Sequence, residues 1–422
     1  MARSERRRDT QHGLSKEGCR IDGFSNQRRH RAHDVQAFTN WVWGETKMNR
    51  TSRILPVVAL LAGLGSAMSM SVSAWAADAD AELAALNGKV LSTGPNGESP
   101  QPASVVKLSD DELAKIKAMH PKAAIVLHYG GNDWSRAQVD GLKAQFAAMS
   151  IDVIAVTDAG FKPEKQVSDI ETVLAKKPNI IVSIPTDPVA TAGAYKKAVD
   201  QGVKLVFMDN VPKGLTAGKD YVSVVSADNF GNGVAAGLLM AKTLNGKGKI
   251  GLVFHAADFF VTKQRYEGFK QAIAKFPDIK IVAEQGIGGP DFSGDAEKAA
   301  SAMLTAHHDI DGIWAVWDVP AEGVIAAARS ANADKLNIVT EDLGENVAIN
   351  MAQGGYVKGL GAQRPYDQGV TEALLAGYGL LGKQAPVYVA LSALPVTKAN
   401  LLDAWKTVYH HDAPADVKGS MK

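Results

Sequence analysis

The chain of 422 residues has a single cysteine, Cys19, so no disulfide can close within it and a cysteine-based metal site is excluded. It also lacks an excess of either charge, with 46 Lys+Arg against 45 Asp+Glu. The balance is uneven along the chain. Residues 1–76 hold 12 Lys/Arg and 6 Asp/Glu, which leaves 34 and 39 for residues 77–422. That mildly acidic body suits a nucleic-acid backbone poorly, and no nucleic-acid partner is expected. Past residue 76 no apolar run is long enough to span a bilayer. Two His at i and i+4 around a catalytic Glu are missing, as is the nucleophile elbow G-x-S-x-G. His307-His308 and His410-His411 are adjacent pairs, whose side chains point apart on a helix or strand. No metal, cofactor or catalytic residue is expected, and the chain reads as a non-enzyme.

The segment that is present near the start has a purpose. Arg50 and Arg53 precede an apolar or small stretch from Ile54 to Met70, and Ala74-Trp75-Ala76 supplies the small residues a signal peptidase reads. Residues 48–76 are therefore expected to be a secretory signal cut before Ala77, placing the product in the periplasm. Residues 1–47 would stand ahead of that signal. They are expected to be a mis-assigned or disordered extension, with translation starting at Met48 and Cys19 absent from the product.

Residues 77–121 form a lead-in with turn signals (Asn96-Gly97, Pro100, Pro102) and one helix, Asp110 to Met119. Beyond it, strand-like runs alternate with helical ones. The strands are expected at Ala123–Leu127, Ile151–Val156, Ile180–Ile184, Lys204–Met208, Tyr221–Val225, Ile250–Phe254, Ile279–Ala283, Gly312–Val316, Leu336–Val339 and Lys358–Gly361. Between them fall helices such as Arg136–Met149, Gln166–Lys176 and Lys263–Lys275. Such alternation on short loops gives an α/β fold of parallel sheets covered on both faces. Two doubly wound, Rossmann-like lobes fit the length, although one eight-stranded barrel would alternate in the same way. In open parallel sheets ligands bind where strand C-termini converge. The residues found there are Asn132-Asp133-Trp134, Pro185-Thr186-Asp187, Asp209-Asn210, His255 to Asp258, Trp317-Asp318 and Glu341-Asp342. Carboxylates and amides pair with neighbouring hydroxyls, and aromatic faces cover sugar C–H faces. A polyhydroxy ligand follows.

Four stretches carry a family resemblance: Gly202 to Asn210, Ser226-Ala227-Asp228-Asn229, Arg265-Tyr266-Glu267-Gly268-Phe269 and Leu360-Gly361-Ala362-Gln363. Over roughly residues 122–410 the chain resembles the type I periplasmic substrate-binding proteins of sugar ABC transporters, nearest the ribose-binding branch. The resemblance implies two lobes closing on a sugar or polyol about a three-segment hinge, with crossings near Val225–Asp228, Gly361–Gln363 and Val387–Leu394. Lobe 1 would comprise 122–226 and 363–390, and lobe 2 227–362 and 391–422, the final helix Lys398–Tyr409 returning to one lobe. It implies delivery to the membrane permease of an ABC transporter, by a monomer, with a chemoreceptor as a further partner. Asp209 and Asp342 match the carboxylates that grip sugar hydroxyls from either lobe, and Gln363 a hinge amide. Trp134 and Phe292 match aromatics; Asn132 joins the candidate ligand set, as does His128, at a first-strand position that is usually a small polar residue.

Three positions depart from that pattern. Asn210 stands where an Arg is usual, Lys263 replaces a second ligand Arg, and Trp317 stands where an Asn is expected, while Arg265 matches an arginine expected to be structural. Two forked guanidiniums are thus gone, which changes the hydroxyls that can be paired, so another sugar or a linear polyol is expected as readily as ribose. On strand Gly312–Val316, Trp314 is expected in the core and Trp317 at the ligand. Asp318 reads as an N-cap for Val319-Pro320. Gly231-Asn232-Gly233 loosely fits a dinucleotide fingerprint, but Asp228-Asn229-Phe230 intervene after the strand, and helix packing is the better reading. The alternatives left open are a sensor for a signalling partner and an exported dehydrogenase-like enzyme.

Overall fold

A computed structural model describes residues 79–421. The expectations for the extension 1–47, the signal 48–76 with its cut before Ala77, and Cys19 lie outside the described residues.

After a helical stretch over residues 79–85 (α1) come β1 (Gln101–Pro102) and α2 (Asp110–Met119). Ser109 and Glu112 close a reciprocal capping box at the start of α2, and acidic residues fill its first turn. The first half then runs β2 (Lys122–Leu127), α3 (Asp133–Ala148), β3 (Asp152–Asp158), α4 (Pro163–Ala175), β4 (Ile180–Ser183), α5 (Ala192–Asp200), β5 (Lys204–Met208) and β6 (Ser223–Ala227). The second runs α6 (Asn229–Thr243), β7 (Lys247–His255), α7 (Phe260–Ile273), β8 (Asp278–Ile287), α8 (Phe292–Ala306), β9 (Gly312–Ala315), α9 (Asp318–Ser330), β10 (Asn337–Glu341), α10 (Glu345–Ala352) and β11 (Val357–Ala362). α11 (Pro365–Leu381), β12 (Tyr388–Leu391), β13 (Leu394–Val396), α12 (Leu401–Tyr409) and α13 (Ala415–Gly419) follow.

The strands form two sheets, not a barrel. One is seven-stranded in the order β1-β12-β6-β5-β4-β2-β3, the other six-stranded in the order β13-β11-β10-β9-β7-β8. All pairings are parallel except β11 with β13. The core of each half has the same order, β3-β2-β4-β5-β6 matching β8-β7-β9-β10-β11. All ten expected strands are present. The sequence reading did not find β1, β12 and β13, which are two to four residues long: too short for a period to show. α10 and α11 were also not named.

The chain passes from the first sheet to the second after β6, back after β11, and across again between β12 and β13. The lead-in makes a further passage. Ala79 and Leu86 join the apolar core of the second sheet, whereas β1 pairs with β12 in the first and Val106 and Ile116 join the first sheet's core. α12 buries Trp405, Val408 and Tyr409 in the core of the second sheet.

Candidate functional site

Because the two cores share a strand order, the residues past their strands correspond. His128 directly follows β2, and His255 ends β7. Phe161 lies just past β3 and Phe292 just past β8. Asp209 follows β5 and Asp342 follows β10, and both take left-handed backbone, φ 55° and 65°. Asp tolerates that region better than most residues, and such strain collects at ligand-gripping positions. It carries each carboxylate from the strand end into the crevice between the sheets.

Asp342 is held from two directions. Arg265 donates through Nη1 (2.9 Å) and Nη2 (3.2 Å), and Gln363 Nε2 donates at 2.9 Å. The guanidinium is itself fixed by the carbonyl of Val316 (3.1 Å) and Asn229 Oδ1 (3.2 Å). Burial works against its charge, but Asp342, Glu341 and Asp209 outweigh that and raise its pKa. Asp209 accepts from Ser226 Oγ at 2.5 Å. Burial pushes its pKa up to about 6, against the pull of Ser226 and Arg265. Three buried side-chain atoms here have no hydrogen-bond partner: Trp134 Nε1, Gln363 Oε1 and His128 Nδ1. A buried donor or acceptor without a partner is costly, and at a crevice it is waiting for one.

Rings from both halves close over this polar set. The Phe161 ring lies 4.6 Å from His128, 5.8 Å from Phe259 and 5.3 Å from Phe292. His128 stacks on Phe259 at 5.5 Å, and Trp317 packs edge-on to Phe292 at 4.9 Å. Desolvation lowers the pKa of His128 to about 3 and of His255 to about 4, so both imidazoles are neutral at pH 7. The cavity encloses about 60 Å³, far below the ~300 Å³ of a typical ligand pocket, because the rings of the two halves already touch. A roomier groove of about 520 Å³ lies around Lys204, Lys219 and Lys383. It has a single ring, Tyr221, and none of the unpartnered buried atoms, so size is not the guide here.

Most of the sequence-picked residues gather in this cavity: His128, Asn132, Trp134, Asp209, Trp317, Asp342 and Gln363 line it. Phe292 backs its wall through Phe161 and Trp317. Asn132 has a second task, since its Oδ1 caps α3 by accepting the Ser135 N–H at 2.9 Å. Two residues fall outside. Asn210 is buried but turns its amide to the carbonyl of Pro185 (3.0 Å), and Lys263 is exposed on α7. Arg265, two positions on and expected to be structural, is the cation that lines the cavity. Helical phase decides this: only one of the two positions faces Asp342.

Tyr129, Phe161, Ile184, Phe259, Val261 and Thr262 also line the cavity and were not singled out; most are apolar and look like any core residue. His255 was noted only as one end of the His255-to-Asp258 stretch. Trp314 is fully buried on Phe269 and donates to Glu341 at 3.1 Å, as its core assignment required. Asp318 is not the cap of α9 but its first residue, after Trp317. Its Oδ1 accepts the Val319 N–H at 2.9 Å, and burial raises its pKa well above the carboxylate range. The glycines after Asp228 serve packing. A Cβ on Gly231 would sit 2.1 Å from the Asp228 carboxylate that caps α6, and one on Gly233 would sit 2.1 Å from the Arg265 carbonyl.

Residues 123–384 match the periplasmic binding protein domain family, well over half of the chain. The D-ribose/D-allose-binding protein of Pseudomonas aeruginosa is 29% identical over 253 residues, covering 57% of this chain and 78% of that protein. A periplasmic solute-binding protein of an ABC transporter from Actinobacillus succinogenes, solved with bound D-allose, superposes with a TM-score of 0.61 at 25% identity, over 67% of this chain and 99% of that one. The myo-inositol-binding protein of Caulobacter, solved with myo-inositol, gives 0.60 at 25% identity, over 67% and 95%.

Proposed function

The chain belongs to the periplasmic binding protein family, and on that premise we propose that it captures a sugar or polyol between its two lobes and presents it to the permease of an ABC transporter. The observation that carries this reading is the paired carboxylate site, Asp209 from one sheet and Asp342 with Arg265 from the other, beside the unpartnered Trp134 Nε1 and Gln363 Oε1. Such a set donates to and accepts from neighbouring hydroxyls, while the rings take the C–H faces.

The relatives are binding proteins of periplasmic sugar uptake, and this chain is read as one: non-enzymatic, monomeric and periplasmic. Asp209, Asp342, Gln363, Trp134, Trp317, Asn132, His128 and Phe292 are its ligand set. Asn210, bonded to the Pro185 carbonyl, and the exposed Lys263 are left out of that set. Ligand binding selects the closed form by its differential affinity, so that the permease, and in a sensing role a chemoreceptor, meets a loaded shape.

Thermal unfolding of residues 77–422, refolded to strip carried-over ligand, is the test. Pentoses, hexoses, linear polyols and cyclitols are screened beside non-sugar controls. A ligand at ~100 times its dissociation constant adds about 2.7 kcal/mol, and the midpoint rises visibly. No shift with any polyhydroxy compound overturns the reading.

A further inference from the structure

Resting on the sugar or polyol reading, we propose that the cargo has one apolar end: a deoxy or O-methylated sugar or cyclitol rather than a fully hydroxylated one. Most of the groups able to pair with hydroxyls collect on one side, where Asp209, Asp342, Arg265, Gln363 Oε1 and Trp134 Nε1 meet. The other side offers Phe161, Phe259, Ile184, Val261 and Trp317. Of the polar atoms near these, one is without a partner, Nδ1 of His128, whose ring stacks on Phe259; the oxygens of Thr262 and Asn132 are engaged. Thr262 Oγ1 donates to the Phe259 carbonyl at 3.1 Å and lies 3.2 Å from His255 Nδ1, and Asn132 Oδ1 caps α3.

A pyranose or cyclitol offers two C–H faces, and its rim carries hydroxyls. Here rings arrive from the loop after β3 and from the starts of α7, α8 and α9, too many directions for two faces alone. Part of the rim must therefore meet carbon. A hydroxyl buried there without a partner weakens binding about tenfold or more, whereas a methyl or methylene gains by leaving water.

Matched pairs test this on the refolded protein: 6-deoxy-D-glucose with D-glucose, 2-deoxy-D-ribose with D-ribose, and D-pinitol with D-chiro-inositol. At least one deoxy or O-methyl member is expected to bind at least tenfold more tightly than its partner by calorimetry. Phe259→Asn, which places an amide on the apolar side at a helix start where Asn is well tolerated, should narrow or reverse that preference. Tighter binding of the hydroxylated member in every pair that binds, or an equal loss for both members in the variant, overturns the inference and leaves the sugar reading standing. No binding by any of the six compounds or by the wider screen overturns both.

A second inference stands on the lead-in, which lies ahead of the family match. It is tied to the second sheet by Asp80–Lys242 and Glu82–Lys275 ion pairs and to the first by β1. Between them it clasps the first crossing: the N–H groups of Leu91 and Ser92 and the Ser92 hydroxyl all donate to the Asp228 carboxylate at 2.8 Å. Ser92 Oγ accepts from Phe230 N at 3.0 Å, and Gln264 Nε2 donates to the Thr93 carbonyl at 3.0 Å. We infer that residues 79–106 form a fourth connection between the lobes and limit how far they open.

Spin labels at Lys196→Cys and Lys298→Cys, in a Cys19→Ser background, read the inter-lobe distance without ligand. Ser92→Ala combined with Gln264→Met should lengthen or broaden that distance distribution. A lowered melting temperature with an unchanged distribution would make the strap a stability element only and overturn the inference, as would no change in either.

Discussion

Arg265→Met tests the electrostatics of the site most directly. Arg265 is 2% exposed and is the one Lys or Arg buried among the described residues, against the buried carboxylates Asp209, Asp228, Asp318, Glu341, Asp342 and Glu372. Methionine keeps much of the volume but removes the bidentate bonds to Asp342 and the bonds to Val316 and Asn229. Breaking a buried pair by deleting one partner costs about 3–5 kcal/mol, because the remaining charge is stranded. For a chain of this size the melting temperature should fall by roughly 5–10 °C at pH 7. The loss must depend on pH. Without the guanidinium the neighbouring carboxyls bind protons more strongly folded than unfolded, so the penalty is present at neutral pH and is relieved as pH falls. Melting curves of both proteins from pH 4 to pH 8 provide the readout, with Arg265→Lys keeping part of the stability. A variant as stable as wild type, or a loss of the same size at every pH, refutes the reasoning.

Asp209→Asn should abolish binding of whichever sugar the screen identifies while the fold survives; retained affinity would remove Asp209 from the ligand set. The same substitution carries a pH signature. The wild-type carboxyl holds its proton to about pH 6 when folded, against 3.8 for the unperturbed group, so wild type loses about 3 kcal/mol as pH rises through that window. The asparagine variant should not show this loss, and parallel pH profiles would contradict the assigned burial. Gly233→Ala drives a methyl into the Arg265 carbonyl where α6 crosses α7 and should destabilise by about 1–3 kcal/mol in urea unfolding. Trp314→Phe leaves the buried Glu341 without its indole donor and should cost about 1–3 kcal/mol; a neutral result would mean that the carboxyl finds another partner.

How much of this was legible beforehand depended on whether a signal is local. Apolar runs and their punctuation revealed the five core strands of each sheet, because a strand buried on both faces is written as continuous Val, Ile, Leu and Ala. The edge strands β1 and β13, and the short β12 between β1 and β6, were not legible, being defined chiefly by their neighbours. Polar residues at strand ends, such as Asp209, Asp342 and Asn132, announced the site. The apolar lining, Phe161, Phe259 and Val261, resembled any core residue.

The sequence by itself determined the alternation of strand and helix, the parallel sheets, and the carboxylates placed where those strands end, since each follows from residue type and short-range period. Tertiary structure alone decided that Arg265 rather than Lys263 faces Asp342, that Asn210 turns away, and that rings from both halves meet above one polar floor. It also joined the lead-in to Asp228, 136 residues away from Ser92 in the chain. Those outcomes depend on helical phase and on which distant segments share a crevice, and neither is written in any local stretch of the chain.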